Sequence, residues 1–240
     1  MPAVVIPAHN EAHLISPCVR SVVQASRHPE LDGEEVGIFV VMDSCTDETG
    51  LIAASLGAQV LSVEMRNVGA ARATGAQRAL AQGARWLAFS DADTTAPADW
   101  LVQQLRCRTD VVCGVISIEN WTGHSAAVRQ DFIATYRDTD GHRHVHGANL
   151  GVSGEAYRAV GGVRPLASNE DVSLVEALIA VNASIAWSAA VRVVTCARLD
   201  SRAPLGFGAA LRAVSWRLAA SDGTSDSALS QAYQAVPRIP

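Results

Sequence analysis

Residues 3–6, 36–42, 59–63, 86–90 and 111–118 are short apolar runs, and the stretches between them carry helical periodicity. That alternation restricts the fold more than any other feature of the chain. A strand that is apolar at nearly every position must be covered on both faces, and parallel sheets achieve this with helices above and below. The connections are long enough to hold a helix, so successive strands lie parallel with right-handed crossovers. The sequence therefore predicts an α/β fold with a mostly parallel central sheet and helices on both faces.

The helices fall between the strands. One is expected from about 11 to 25, capped by Asn10, with Leu14, Cys18, Val19 and Val22 on one face. Thr46 and Asp47 open a second, which ends at Gly57. An Ala-rich helix covers 69–82, and another covers 96–106 with Pro97 in its first turn. Beyond 118 the pattern is less regular. It predicts a helix over 123–136, a polar loop over 138–146, a strand over 148–152 and a helix over 169–181. Short strands follow over 185–187 and 191–195, then a C-terminal helical segment over about 209–220. Residues 221–240 read as poorly ordered.

Open α/β sheets bind ligands at the carboxyl ends of their strands. The segments there are 7–11, 43–47, 66–69 and 91–93, and all four are polar. Asp91 and Asp93 leave a buried strand at i and i+2, where extended backbone would aim both carboxylates one way. Hard oxygen donors of this kind suit Mg²⁺ or Mn²⁺ sharing phosphate oxygens; Asp93 could equally cap the helix that follows. Asp43 ends a central strand, where its carboxylate could accept a ring N–H, and Asp47 suits a helix start. Arg72 lies in the first turns of a helix, a combination that favours phosphate. Glu170 and Asp171 begin a helix, where they could serve its dipole or supply a general base.

Together these segments resemble glycosyltransferase family 2, with the GT-A fold. The matching stretches are 4–11 (VVIPAHNE), 41–47 (VMDSCTD), 67–72 (NVGAAR), 91–93 (DAD), 147–149 (GAN) and 170–171 (ED), in order over about 3–195. The resemblance implies a GT-A domain over 1–200 and a C-terminal helical tail over 201–240. Within the domain, a nucleotide-binding half covers about 1–118 and an acceptor-binding half about 119–200. It implies that Pro7, Ala8 and Glu11 line the nucleotide pocket, that Asp43 reads the base, and that Arg72 lies near the base or diphosphate. Asp91 would face the ribose or a metal-bound water, and Asp93 would hold Mn²⁺ or Mg²⁺. Asp171 would take the acceptor proton in an inverting transfer, with Glu170 assisting. Gly147 and Asn149 would line the acceptor side. The partners implied are a nucleotide-diphospho sugar, a UDP-sugar favoured, and a hydroxyl acceptor whose identity is not legible. The family also leaves room for a homodimer and for peripheral contact with a membrane.

One departure concerns the metal. Many relatives complete its shell with a C-terminal His, whereas all seven His here lie at or before His146. His142, His144 and His146 are candidates to replace it, unless they form a solvated loop. Arg198 and Arg202 are candidate phosphate contacts beyond the last strand.

Composition trims the alternatives. All 19 basic residues are Arg and none is Lys, which removes Schiff-base, pyridoxal-phosphate and P-loop chemistry. A net charge of −5 argues against a broad nucleic-acid surface. No apolar run approaches the roughly 20 residues of a membrane helix, and the N-terminus reads as a strand rather than a signal peptide. Five Cys without a Cys-x-x-Cys indicate neither a disulfide framework nor a zinc site, and point to the cytoplasm. Two other readings stay open on sequence: a nucleotidyltransferase on a similar sheet, and a catalytically degenerate nucleotide-sugar-binding module.

Overall fold

The computed structural model describes residues 1–198 and 207–221. In chain order the elements are β1 (Pro2–Ala8), α1 (Ile15–Ala25), β2 (Gly37–Asp43), α2 (Thr49–Ser55), β3 (Gln59–Val63), α3 (Val68–Ala81), β4 (Trp86–Phe89) and α4 (Trp100–Arg106). They continue with β5 (Val111–Ser117), α5 (Ala126–Thr135), β6 (Leu150–Ser153), α6 (Gly154–Ala159), α7 (Glu170–Ala180), β7 (Ile185–Val194) and α8 (Phe207–Ser221). No described helix is long and apolar enough to cross a membrane.

The seven strands form one sheet in the order β3-β2-β1-β4-β6-β5-β7. Strands β1 to β4 pair in parallel, as do β5 and β7, and β6 runs antiparallel between β4 and β5. The expected mostly parallel α/β sheet is thus present. Ala3, Val4, Val5 and Ile6 are all 0% exposed. Successive strand residues face opposite sides, so the sheet is covered on both faces at its centre. Each large apolar side chain buried there, such as Phe39 or Leu87, contributes about 1.5–3 kcal/mol. Helix α3 approaches the sheet at Gly75, where a Cβ would lie 2.5 Å from Val5 Cγ1 and 2.9 Å from Val41 Cγ2. The order turns back between β1 and β4, and the loops after those strands open at this switch point.

Several boundaries differ from the sequence expectation, for physical reasons. Helix α1 begins at Ile15, because Asn10 has φ 52° and the N–H groups of Leu14 and Ile15 turn back onto the Glu11 carbonyl. Asn10 therefore does not cap it; its Oδ1 accepts the Thr46 N–H at 2.7 Å. Helix α4 begins at Trp100 rather than near Ala96, whose N–H goes to Ser21 Oγ. The expected strand over 148–152 lies at Leu150–Ser153, and α6, which the periodicity does not reveal, follows it directly.

The two short strands expected over 185–187 and 191–195 are one strand, β7, with a register shift against Gly114/Val115 of β5. Asn149 fills that irregularity. Its Nδ2 donates to the carbonyls of Val115 (2.8 Å) and Val191 (2.9 Å), and its Oδ1 accepts Trp100 Nε1–H at 2.8 Å. With the residue 1% exposed, removing this amide strands three buried polar groups. Asn149→Ala is expected to cost about 2–4 kcal/mol, read from the urea midpoint, since each buried unpaired group carries its own desolvation penalty.

The chain divides into two compact units, Met1–Ser117 with Thr139–Thr195, and Ile118–Asp138 with Cys196–Pro240. The second draws together segments that the sequence reading assigns to the acceptor half and to the tail. In it α5 and α8 pack around Val128, Ala197 and Leu211, with Trp121, Phe132 and Phe207 against them, and Arg217 pairs with Asp131. The expectation of disorder over 221–240 lies outside the described residues, apart from Ser221 at the end of α8.

Candidate active site

The first unit brings its polar loops to the carboxyl edge of the sheet. The loops after β1 and β2 are tied to each other. Asp47 Oδ2 accepts the Ala12 N–H at 3.0 Å, Thr49 Oγ1 accepts the Glu11 N–H at 2.8 Å, and Cys45 Sγ donates to the Ala8 carbonyl at 3.3 Å. Asp47 also accepts the N–H of Thr49, the first residue of α2, which is the helix-start duty expected of it. Pro7, Ala8 and Glu11 lie on the β1 side of this pair of loops, and Glu11 is buried.

Asp43, buried at the end of β2, organises the loop after β3. Its Oδ1 accepts the N–H groups of Met65 and Arg66, both at 2.8 Å, and its Oδ2 accepts that of Asn67 at 2.6 Å. Ser44 Oγ adds a fourth donor. Burial works against the charged form, but these N–H groups outweigh it and hold the carboxyl below the ordinary aspartate range. A carboxylate offers about four acceptor positions, so a ring N–H would have to share Asp43 with this loop.

Asn67 then caps α3 through the Ala70 N–H at 2.9 Å. The phosphate site expected at this helix start is already covered. Gly69 N–H donates to the Leu166 carbonyl at 3.0 Å, and Asn67 Nδ2 donates to that of Pro165. The 164–166 backbone passes so close to Gly69 that a Cβ there would lie 2.7 Å from the Leu166 nitrogen.

Arg72 turns inward from α3 and is 4% exposed. One terminal nitrogen pairs with Asp91 after β4, and the other with Glu170 at the start of α7. Gly147 lies against the same guanidinium, in the space that a side chain at that position would need. Gly147 N–H donates to Asp171 Oδ2 at 2.6 Å, and Asp171 Oδ1 accepts the Val172 N–H at 2.8 Å. Burial pushes the Asp171 carboxyl up from its ordinary range; Arg72 and the two N–H groups offset only part of this, and Asp91 adds to the rise. Glu170 is raised by burial in the same way. Asp91, Glu170, Asp171, Arg72 and Gly147 thus form one cluster.

Asp91 and Asp93 sit in a turn closed by the Thr94 N–H on the Asp91 carbonyl at 3.1 Å, not in the extended backbone assumed from sequence. Beneath them Cys18, buried on α1, donates its thiol to the Asp91 carbonyl at 3.2 Å. Its thiol is pushed strongly up by burial and then by the carboxylates of Asp93 and Asp91.

The remaining predicted residues divide. Asn149 belongs to the core, and its amide is committed to β5, β7 and Trp100, so its side chain does not line an acceptor surface. Arg198 lies in the second unit, and Arg202 lies outside the described residues. The His142, His144 and His146 rings stack, with centroids 5.3 and 5.7 Å apart and planes inclined by 20° and 23°. Nitrogen lone pairs in near-parallel planes do not converge on one ion, so the three do not make the metal shell considered for them. Burial, then the charges of His144 and His142, push His146 down to about 3.

Among the described residues no group of three or more His, Cys, Asp or Glu side chains is arranged to hold a metal ion. The donors of the Asp91–Asp93 turn still fit a divalent cation that draws its other ligands from phosphate oxygens and water. They are hard oxygens at the rim, Asp93 half-buried and the Asp91 side chain 38% exposed despite its ion pair.

The family model described as Glycosyl transferase family 2 matches residues 3–157. No curated protein matches the chain. Among solved structures, S. aureus TarS 1-349 in complex with UDP-GlcNAc is similar at a TM-score of 0.66 and 15% identity, covering 96% of this chain and 68% of that one. The mannosyltransferase PcManGT from Pyrobaculum calidifontis, in complex with GDP-Man and Mn2+, gives 0.64 and 16% over 94% and 65%. Glucosyl-3-phosphoglycerate synthase from Mycobacterium tuberculosis, in complex with Mn2+, UDP and phosphoglyceric acid, gives 0.57 and 20% over 95% and 80%.

Proposed function

The chain belongs to glycosyl transferase family 2, and from that premise we propose that it moves one sugar from a nucleotide-diphospho sugar, a UDP-sugar favoured, to a hydroxyl acceptor with inversion. The observation that carries the reading is the carboxylate cluster around Arg72, which gathers Asp91 from the end of β4 with Glu170 and Asp171 from the start of α7. An acid at a strand exit beside a second acidic pair at a helix start is what a displacement at a sugar carbon needs: one side for the departing diphosphate, the other for the incoming hydroxyl.

Asp171 is the general base of this mechanism. Its carboxylate is held by two N–H groups, and its raised affinity for a proton improves it as an acceptor from a hydroxyl. Pro7, Ala8 and Glu11 border the nucleotide, with Asp43 setting the shape of the adjoining loop. Asp93, with Asp91, would hold the divalent cation. When bound, Mn²⁺ or Mg²⁺ supplies positive charge to the leaving diphosphate. Gly147 places its backbone on the acceptor side, next to Asp171. The nucleotide sugars in complex in two of the related structures, UDP-GlcNAc in one and GDP-Man in the other, put uracil and guanine among the bases to be tried. The proposed setting is the cytoplasm.

A thermal-shift series with UDP, GDP and dTDP, each with and without Mn²⁺, tests the donor class. UDP with Mn²⁺ is expected to raise Tm, and at 100 times Kd the stabilisation is about 2.7 kcal/mol. No shift with any nucleotide would remove the nucleotide-sugar reading, and a shift with GDP alone would reassign the base.

A further inference from the structure

We propose that Arg72 is the positioning residue of the carboxylate cluster, locking Asp91 to Glu170 and thereby setting Asp171, and that it does not contact the nucleotide. The inference rests on the reading of Asp171 as the base. Arg72 is almost fully enclosed, and its two terminal nitrogens are occupied by carboxylates lying 19 and 98 residues further along the chain. Gly147 closes over the same guanidinium. A diphosphate would have to displace Asp91 or the buried Glu170 carboxylate to reach it, exchanging one anion for another. The planar fork explains the residue type: it presents two N–H edges to two acids in fixed directions, whereas a Lys ammonium is a single point of charge.

Two routes lead from Arg72 to Asp171. One is covalent, through Glu170, the preceding residue on α7. The other runs through Gly147, whose close packing on the guanidinium places its N–H on Asp171 Oδ2. With Arg72 gone, three carboxylates would face one another without a counter-charge, and like charges at this range disperse. The substrate-free geometry of the base thus depends on a residue that touches neither the sugar nor the hydroxyl.

The test compares wild type, Arg72→Lys, Arg72→Met and Arg72→Met/Glu170→Gln. UDP affinity is measured calorimetrically with and without Mn²⁺, the metal-free value being the one compared between variants because Asp91 also faces the cation; turnover per folded enzyme is measured with UDP-sugar, and Tm is measured without ligand. Arg72→Lys is expected to keep UDP affinity within about threefold while kcat falls by about 100-fold, the cost of a small misplacement of reacting groups. Loss of UDP affinity in step with kcat would overturn the proposal, since a nucleotide contact predicts that outcome. Unchanged kcat would overturn it equally. In the ligand-free arm, Arg72→Met is expected to lower Tm more than Arg72→Met/Glu170→Gln, which removes the orphaned acid; equal losses would overturn the pairing. If the single variants do not fold, the double variant decides by its UDP affinity: near wild type supports the proposal, and weaker by about tenfold or more overturns it. Wild type that binds no UDP would sink the donor reading and leave the Tm comparison to judge Arg72.

Discussion

Asp171→Asn is expected to reduce kcat by about 10²–10⁴-fold, the range for a lost general base, while UDP-sugar still binds with its wild-type Kd. The substitution keeps the shape and the acceptor oxygen that can receive the Gly147 or Val172 N–H, so the start of α7 should stay in place. What it removes is the site that takes the acceptor's proton. A calorimetric Kd beside a steady-state kcat separates the two effects, and a Kd that weakens in parallel would make Asp171 a donor contact. The wild-type pH profile gives an independent check. Because Asp171 is held above the ordinary aspartate range, kcat should fall on the acid side at a higher pH than an exposed aspartate would impose. That limb should be absent from the residual activity of the variant.

Asp93→Asn should be as damaging by a different route. The leaving diphosphate needs positive charge near it, and the chain has no Lys to offer. Arg72 is committed to Asp91 and Glu170. Loss of the cation-holding carboxylate is therefore expected to lower kcat by about 10³-fold, near 4 kcal/mol of transition-state stabilisation. It should also abolish the dependence of UDP affinity on Mn²⁺, whereas Asp171→Asn should preserve that dependence. If Asp93→Asn retains Mn²⁺-dependent UDP binding, the cation is held elsewhere.

The sheet was legible because its central strands carry apolar residues on both faces: 3–6, 36–42 and 86–90 admit little else. The Gln59–Val63 strand matches its predicted bounds. Helix starts were less legible, since they depend on backbone turns such as that at Asn10, where a residue of cap type bonds the neighbouring loop instead. Strand β7 was split because Ser188, Ala189 and Ala190 interrupt its apolar pattern, and the cause is a register shift filled by an Asn from another strand's approach. At the site, position along the chain picked out Asp91, Asp93, Glu170 and Asp171 as acids at element ends. Pairing did not follow from it. Nothing in the spacing of Arg72 announces a partner 98 residues away, and nothing in the Asn149 side chain separates a buried amide from a surface one.

The hold of Asp43 on the loop after β3 divides the burden of specification unevenly. One end is a particular side chain; the other is three main-chain N–H groups, at Met65, Arg66 and Asn67. Any residue but proline brings the same N–H. Position 65 can therefore change identity without releasing the loop, and Met65, 63% exposed, already points its bulk outward, whereas position 66, at φ 46°, is narrowed to residues that tolerate the left-handed region. The rim of the site is in this respect a plug-in surface, open to variation in what it meets while its anchor stays fixed.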